Sequence, residues 1–428
     1  MLMPGDKSIS HRAAMFAALA DGTTSIRNFS SSTDCAATLS CLEALGVAIE
    51  RKDNEVLING VGIDGLREPQ APLDCGNSGT TMRLLAGILA GQNFKSTLTG
   101  DDSLRSRPME RIIEPLRMMG ARISADDGRA PLVIDGHRGL NPISYELLVA
   151  SAQVKSCILL AGLNAQGRTE VIENQITRDH TERMLRSFGV GIETGRAERE
   201  GENARFAAVN GPARLTAREV SIPGDISSAA YFVAAAALLP GSSLVIRDVG
   251  INPTRAIFLK QLCELGLNVE VTGAREDSNE PVGEIRVQGS AQQPGKSDNS
   301  PMIIRGLVVP QLIDELPLLA VVGSQVPGGI EIRDAAELRV KESDRIATTA
   351  LNLRAMGADV TEFEDGLHVS GPTRLRGAEI DPRGDHRIAM AFTIAGLIAE
   401  GETQVTSHDC VAVSFPDFFE LLELVVEK

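Results

Sequence analysis

Six times along the chain an Ala- and Leu-rich stretch runs up to a glycine, at Gly22, Gly91, Gly167, Gly241, Gly328 and Gly401. The spacing, about 70 to 90 residues, is too long and uneven for a helical solenoid and suits compact units that carry both strands and helices. Each stretch reads as a buried helix closed by its glycine. A short alternating segment follows each: SIRNF, KSTLTG, TEVIEN, SLVIRDV, IEIRDA and TQVTSHD, which read as strands. A second, amphipathic helix then stops at a glycine and runs into another β-like segment, in CLEALGVAIE, PLRMMGARIS, MLRSFGVGIE, QLCELGLNVE and NLRAMGADVT. The sixth such helix, FPDFFELLELVVEK, closes the chain, so its strand is missing or comes from elsewhere.

The two halves also match. PGDKSISHRAAMFAALADG (4–22) and PGDISSAAYFVAAAALLPG (223–241) share their opening tripeptide and the distance to the closing glycine. Six units therefore divide into three plus three. The expected fold class is α/β, with two pseudo-symmetric domains: 6–222, and 1–5 together with 223–428. A length of 428 residues suits two domains. The polar stretches 195–205 and 273–301 read as exposed hairpins or loops.

A net charge of −15 argues against nucleic acid as a partner. The absence of Trp and an aromatic content of 3% argue against base stacking. The six cysteines form no Cys-x-x-Cys pair, and most of them read as small buried apolar groups in a reducing compartment, with the cytoplasm as the expected location. No apolar stretch precedes Lys7, so no signal peptide is expected. The longest apolar run, 229–239, is shorter than the ~20 residues a bilayer span needs, and no membrane partner is expected.

The first helix of each unit opens on a polar cluster: Lys7-Ser8-Ile9-Ser10-His11-Arg12, Asn77-Ser78-Gly79-Thr80-Thr81-Met82-Arg83, Ser151-Ala152-Gln153-Val154-Lys155, Asp225-Ile226-Ser227-Ser228, Asp314-Glu315 and Asp385-His386-Arg387. Helix starts carry unpaired N–H groups and partial positive charge, so they suit anions. Ser, Thr, Asn and Asp at these places are also ordinary N-caps, the commoner reading for any one cluster. For the set that reading is weaker, because a cap does not require Lys7, Arg12, Arg83, Lys155 and Arg387 just inside the helices. Further charged clusters lie in SLRSRPMER, ITRDHTER and AELRVKESDR, and each alone reads as a solvated face. His11 and His386, beside arginines, read equally as titrating or as structural groups. There is no phosphate-binding P-loop, dinucleotide fingerprint, Gly-x-Ser-x-Gly elbow or zinc spacing, so no metal and no organic cofactor is expected.

PGDKSISHR, GNSGTTMR, the Arg-Pro at 107–108, SAQVKS, RDHTERM, IDELP, LRVKESDR and GDHRIAM, in this order, resemble the family of 5-enolpyruvylshikimate 3-phosphate synthases. The likeness runs from Pro4 to Pro416. It implies two domains of three βαβαββ units each, with the active site in the cleft between them; the family's chains usually begin about one strand earlier. It implies two anionic substrates, shikimate 3-phosphate and phosphoenolpyruvate, and a monomer. Matching positions imply that Lys7, Ser8, Arg12, Ser151, Ala152, Gln153, Arg178, Asp314 and Lys341 contact the sugar phosphate. They imply that Lys7, Asn77, Gly79, Arg107, Gln153, Arg345 and Arg387 contact phosphoenolpyruvate. Two positions depart from the family: Ala152, where Ser is frequent, and Val413 or Ser414, where many members carry Lys.

The implied reaction is addition then elimination: the 5-hydroxyl attacks C2 of phosphoenolpyruvate, C3 takes a proton, and phosphate leaves the tetrahedral ketal. Such chemistry needs a base at the hydroxyl, an acid at C3 and cations for the departing phosphate. The resemblance implies Asp314 and Lys341 at the hydroxyl, Glu342 with Lys7 at C3, and Arg345 with Arg107 at the phosphate. Two readings compete. A transferase acting on UDP-N-acetylglucosamine shares the fold, but many of its members carry a Cys in the loop matching SLRSRPMERIIEP, where this chain has none. A non-catalytic anion-binding scaffold has no need of Asp314 and Glu342.

Overall fold

The computed structural model describes residues 1–52, 54–197, 204–289 and 300–426. The chain forms two compact units: Gly5–Ile222 with Glu276–Glu280, and Met1–Pro4 with Pro223–Arg275 and Pro281–Lys428.

In the amino-terminal unit a four-strand motif recurs. Lys95–Thr99 pairs in parallel with Leu73–Asp74 and antiparallel with Arg129–Asp135, which carries Arg122–Asp126 on its far side. Gly167–Glu173 is flanked in the same way by Ser144–Glu146 and by Arg205–Gly211 with Ile192–Arg196. In the first repeat the parallel edge beside Ala20–Arg27 is supplied by Leu215–Thr216 and Val220–Ser221, from the end of the third repeat. The end of the third repeat thus pairs back onto the first strand and covers that side of it, while Ala48–Lys52 remains the outer strand of this sheet on the other side.

The carboxy-terminal unit repeats the order with Met302–Ile304, Ile330–Ile332, Gly366–Val369 and Val360–Phe363. Ser243–Gly250, Glu280–Gln288 and Asn268–Asp277 form a three-stranded sheet. Stretch 195–205 spans a hairpin whose residues 198–203 lie outside the described residues. Stretch 273–301 begins in the hairpin of Asn268–Asp277 and Glu280–Gln288, and its residues 290–299 also lie outside them. The sixth repeat corrects the sequence reading. Of TQVTSHD only Gln404–Val405 is strand, paired with Glu379–Ile380, and His408–Val413 is a 3-10 helix. Ser407, with φ 48°, turns the chain out of the extended region between them.

The six apolar helices are Lys7–Leu19, Gly79–Ala90, Ala152–Gly162, Ile226–Leu238, Leu316–Gly323 and His386–Ile398. They are buried almost all round, as helices without a polar face must be. A Cβ at Gly87 would lie 2.2 Å from the Cys157 carbonyl oxygen, so Gly79–Ala90 crosses Ala152–Gly162 in backbone contact that only glycine permits. Of the six closing glycines, Gly91 alone caps its helix; the other five lie a few residues beyond the helix end with positive φ, Gly22 and Gly167 within the opening residues of their strands and Gly241, Gly328 and Gly401 in the turns that lead into the next strand. The helix-closing role belongs to the second helices. After Thr33–Ala44, Gly46 (φ 89°) donates to the Glu43 carbonyl at 2.9 Å and Val47 to that of Leu42 at 3.1 Å, a Schellman closure. The same pair of bonds recurs at Gly120, Gly189, Gly266 and Gly357.

Candidate functional site

Each unit gathers its own charged cluster at helix starts. In the amino-terminal unit Asp6 caps Lys7–Leu19, accepting from the Ile9 N–H at 2.9 Å. Lys7 Nζ meets Asp34 Oδ2 at 2.9 Å. Arg12, one turn further in, is buried. Its guanidinium donates to Thr181 Oγ1 at 2.7 Å, the Ser8 carbonyl at 2.8 Å and Ser156 Oγ at 2.8 Å. All three acceptors are neutral. Burial lowers the Arg12 pKa to about 10, Glu182 opposes the shift and Arg178 adds to it. Arg178 therefore lies near Arg12, and Ala152 opens the helix that carries Ser156.

A second group surrounds the start of Gly79–Ala90. Ser78 caps that helix on the Thr81 N–H. Arg107 donates to Asn77 Oδ1 at 2.7 Å, and Asn77 donates to Asp101 at 2.8 Å. A Cβ on Gly79 would lie 2.6 Å from Arg83 Nη1 and 3.5 Å from Arg107 Nη1, so both guanidiniums converge on the bare Cα. Arg83 donates to Gln153 Oε1, and Gln153 donates to Thr80 Oγ1, each at 2.8 Å. Two bonded sets, Arg107 with Asn77 and Arg83 with Gln153, thus meet at Gly79. Ser151 caps its helix on the Val154 N–H with a long 3.4 Å contact.

Lys155 does not join either group. Its ammonium is buried between Glu182 Oε1 at 2.7 Å and Glu173 Oε2 at 3.1 Å. Burial alone would lower its pKa, yet the two carboxylates more than reverse this and hold the Lys charged. Its place in the helix start is therefore structural, and one cation drops out of the set that argued against ordinary caps. His180 is likewise bonded, to Glu280 Oε1 at 2.7 Å, and Arg183 pairs with Asp179 at 2.9 Å.

In the carboxy-terminal unit Asp344 caps Arg345–Ala355 and Asp385 caps His386–Ile398, which brings Arg345 and Arg387 to two adjacent helix starts. Arg345 is 2% exposed. Its Nε meets Asp385 Oδ2 at 2.8 Å, its Nη1 meets Asp314 Oδ1 at 3.5 Å, and its Nη2 pairs with Glu342. Arg387 lies 3.8 Å from Asp314 and 4.0 Å from Glu315. Burial would lower the pKa of both arginines, but the surrounding carboxylates raise it instead. Lys341 reaches Glu337 at 3.6 Å, and its pKa is lowered, chiefly by burial against the pull of Glu337 and Asp314, although 28% of the side chain meets solvent. Asp314, Lys341, Glu342, Arg345 and Arg387 therefore form one cluster.

Several members of the clusters carried no assigned role in the sequence reading. Arg83 lies one turn beyond Gly79, on the same helix face, a spacing that could have singled it out. Asp385 was visible only as the residue before His386. Arg255, buried and bonded to Ser227 Oγ, and Ser227 itself, bonded to Glu315, continue the carboxy-terminal cluster inward. Tyr231, whose pKa is pushed up to about 12 by burial despite nearby Arg387, lies beside them. Nothing in NPTRAIF distinguishes Arg255 from a surface arginine. Among the described residues no group of three or more His, Cys, Asp or Glu could hold a metal ion.

A family model described as EPSP synthase (3-phosphoshikimate 1-carboxyvinyltransferase) matches residues 1–422. A 3-phosphoshikimate 1-carboxyvinyltransferase of Geobacter sp. (strain M21) is 49% identical over 428 residues, covering 100% of this chain and 96% of the relative. That of Koribacter versatilis is 51% identical, covering 99% and 96%. The solved EPSP synthase of Acinetobacter baumannii superposes with a TM-score of 0.85 at 44% identity, covering 99% of this chain and 95% of its own. The enolpyruvyl transferase NikO of Streptomyces tendae superposes at 0.75 with 20% identity, a likeness of fold alone.

Proposed function

Since the chain belongs to the EPSP synthase (3-phosphoshikimate 1-carboxyvinyltransferase) family, we propose that its two helix-start clusters serve one enolpyruvyl transfer. The fold is the two-domain α/β fold of the enolpyruvyl transferases. The chain is an enzyme of aromatic amino acid biosynthesis. It transfers the enolpyruvyl group of phosphoenolpyruvate to the 5-hydroxyl of shikimate 3-phosphate and releases phosphate.

The observation that carries the division of labour is electrostatic. Arg12 is held by neutral oxygens, whereas Arg345 is held by three carboxylates. Lys7, Ser8, Arg12, Arg178 and the Ser151-Ala152-Gln153 helix start therefore suit the anionic groups of the sugar phosphate. Asn77, Gly79, Arg107 and Gln153, with Lys7, suit the small dianionic head of phosphoenolpyruvate. Each pair of unit negative charges within 4 Å would repel by about 4 kcal/mol at an effective dielectric of about 20, so these cations are a requirement of the chemistry.

The carboxylate-rich cluster suits proton transfer. Asp314 and Lys341 take the proton from the attacking hydroxyl, and the lowered pKa of Lys341 makes it the easier lysine to deprotonate. Glu342 with Lys7 delivers a proton to C3 as the hydroxyl oxygen bonds C2. Arg345 and Arg107 then balance the charge on the departing phosphate, and the C3 proton is given back as the ketal collapses. Arg345 reaches an anion by sharing donors already bonded to Asp314, Glu342 and Asp385, whereas the Arg387 guanidinium lies 3.8 Å from Asp314 and 4.0 Å from Glu315, beyond hydrogen-bond distance. No metal or organic cofactor is used. We read the protein as a cytoplasmic monomer that engages neither membrane nor nucleic acid. In support, all six cysteines are free, and no single helix among the described residues is long and apolar enough to cross a membrane.

The test is release of inorganic phosphate from phosphoenolpyruvate, which should require shikimate 3-phosphate. Lys7→Ala and Asp314→Ala should each lower turnover by more than about 100-fold with the melting transition unchanged. Release driven instead by UDP-N-acetylglucosamine, or near-normal turnover in both folded variants, would overturn the reading.

A further inference from the structure

Arg12 is gripped by a one-way chain of hydroxyls. Its Nε–H donates to Thr181 Oγ1 at 2.7 Å and its Nη2–H to Ser156 Oγ at 2.8 Å. The two hydroxyls lie 2.6 Å apart, and Ser156 Oγ donates to the Ala152 carbonyl at 2.6 Å. A hydroxyl has one proton to give. Ser156 spends its proton on Ala152, so the Thr181 proton must point at Ser156. The order is then fixed: Arg12 to Thr181, Thr181 to Ser156, Ser156 to the first residue of the Ala152–Gly162 helix. Thr181 and Ser156 are about 1% exposed, so water does not compete for these bonds.

The neutrality of this grip is its chemical point. A carboxylate in the place of Thr181 would hold the guanidinium as firmly and cancel its charge, as Asp385 and Glu342 do at Arg345. Among the described residues no carboxylate stands within ion-pair distance of Arg12. The charge is oriented, buried and left to attract an anion.

We propose that Thr181 and Ser156 are positioning residues for the sugar phosphate: they fix Arg12 against the Ala152 helix start without neutralising it. The proposal rests on the reading of Arg12 as a shikimate 3-phosphate contact.

Thr181→Val keeps the shape and removes the relay. It should raise the KM for shikimate 3-phosphate by about tenfold or more, the worth of one hydrogen bond to a charged group, and change kcat less than about threefold. Calorimetry should show the same loss in shikimate 3-phosphate affinity. Thr181→Ser should restore the KM to within about threefold. Ser156→Ala should act in the same direction, which decides the matter should Thr181→Val not fold. An unchanged KM in folded Thr181→Val or Ser156→Ala, or a fall in kcat with the KM intact, overturns the proposal. Arg12→Ala separates the two layers. A normal sugar-phosphate KM there removes the role of Arg12 itself; a raised KM there with a normal one in Thr181→Val removes only the positioning role.

Discussion

His11 lies fully buried at the start of Lys7–Leu19, with Nδ1 2.6 Å from Thr38 Oγ1 and Nε2 without a hydrogen-bond partner. Burial first, then the neighbouring charges of Lys7 and Arg12, push its pKa well below that of a free histidine. This settles the alternative left open by sequence in favour of a neutral structural group. It also has a consequence for stability. The unfolded chain binds a proton at His11 below about pH 6.5, while the folded chain does not until a much lower pH. The stability is thus whole above pH 6.5 and falls as the pH drops, by about 1.4 kcal/mol per unit from this residue. Melting curves at pH 7 and pH 5 should show a fall in Tm that His11→Asn reduces by about 2–4 °C. An equal fall in both proteins would show that His11 charges in the folded state.

Gly79–Ala90 is the element where local rules and site geometry meet. Its first residue is glycine, a poor helix former, with an ordinary negative φ that alanine could adopt. The constraint is space: a Cβ would press on Arg83 Nη1 at 2.6 Å and approach Arg107 Nη1 at 3.5 Å. Both are tips of flexible side chains, so they can move while the helix stays. Gly79→Ala should leave the Tm unchanged or slightly raised, and raise the KM for phosphoenolpyruvate about tenfold by displacing the Arg83 bond to Gln153. A lowered Tm with a normal KM would place the constraint in the backbone instead. The elements themselves were well marked in the sequence. The glycines in CLEALGVAIE and its counterparts do close helices, because a Schellman turn needs positive φ at that one place. Five of the six glycines after the apolar helices were misread as closures, Gly91 being the one that does cap its helix, because a positive φ on the way into a strand leaves the same mark.

At the scale of the molecule, the residues proposed for phosphoenolpyruvate are divided between units. Lys7, Asn77, Gly79, Arg107 and Gln153 belong to one, and Arg345 and Arg387 to the other. Neither unit carries the full set, so phosphoenolpyruvate alone should bind weakly and shikimate 3-phosphate should strengthen its binding. Titration calorimetry with and without the sugar phosphate measures this coupling, and equal affinities would refute it. The repeat, the helices and the cation-bearing helix starts were legible in the sequence, because each depends on neighbours a few residues away: apolar periodicity, a capping side chain, a glycine at the turn. What surrounds each cation was not. Lys7, Arg12, Lys155 and Arg345 look alike at the starts of helices. Lys155 became a buried structural ion through Glu173 and Glu182, Arg345 a carboxylate-bound group through Asp314, Glu342 and Asp385, and Arg12 an open charge through Thr181 and Ser156. Most of these partners come from other strands and helices, and the sign and solvation of a charge depend on all atoms within a few ångströms, whatever their distance along the chain. The sequence by itself determined the repeated α/β units and where charge would gather; only the tertiary structure decided which of those charges are already balanced and which remain to meet a substrate.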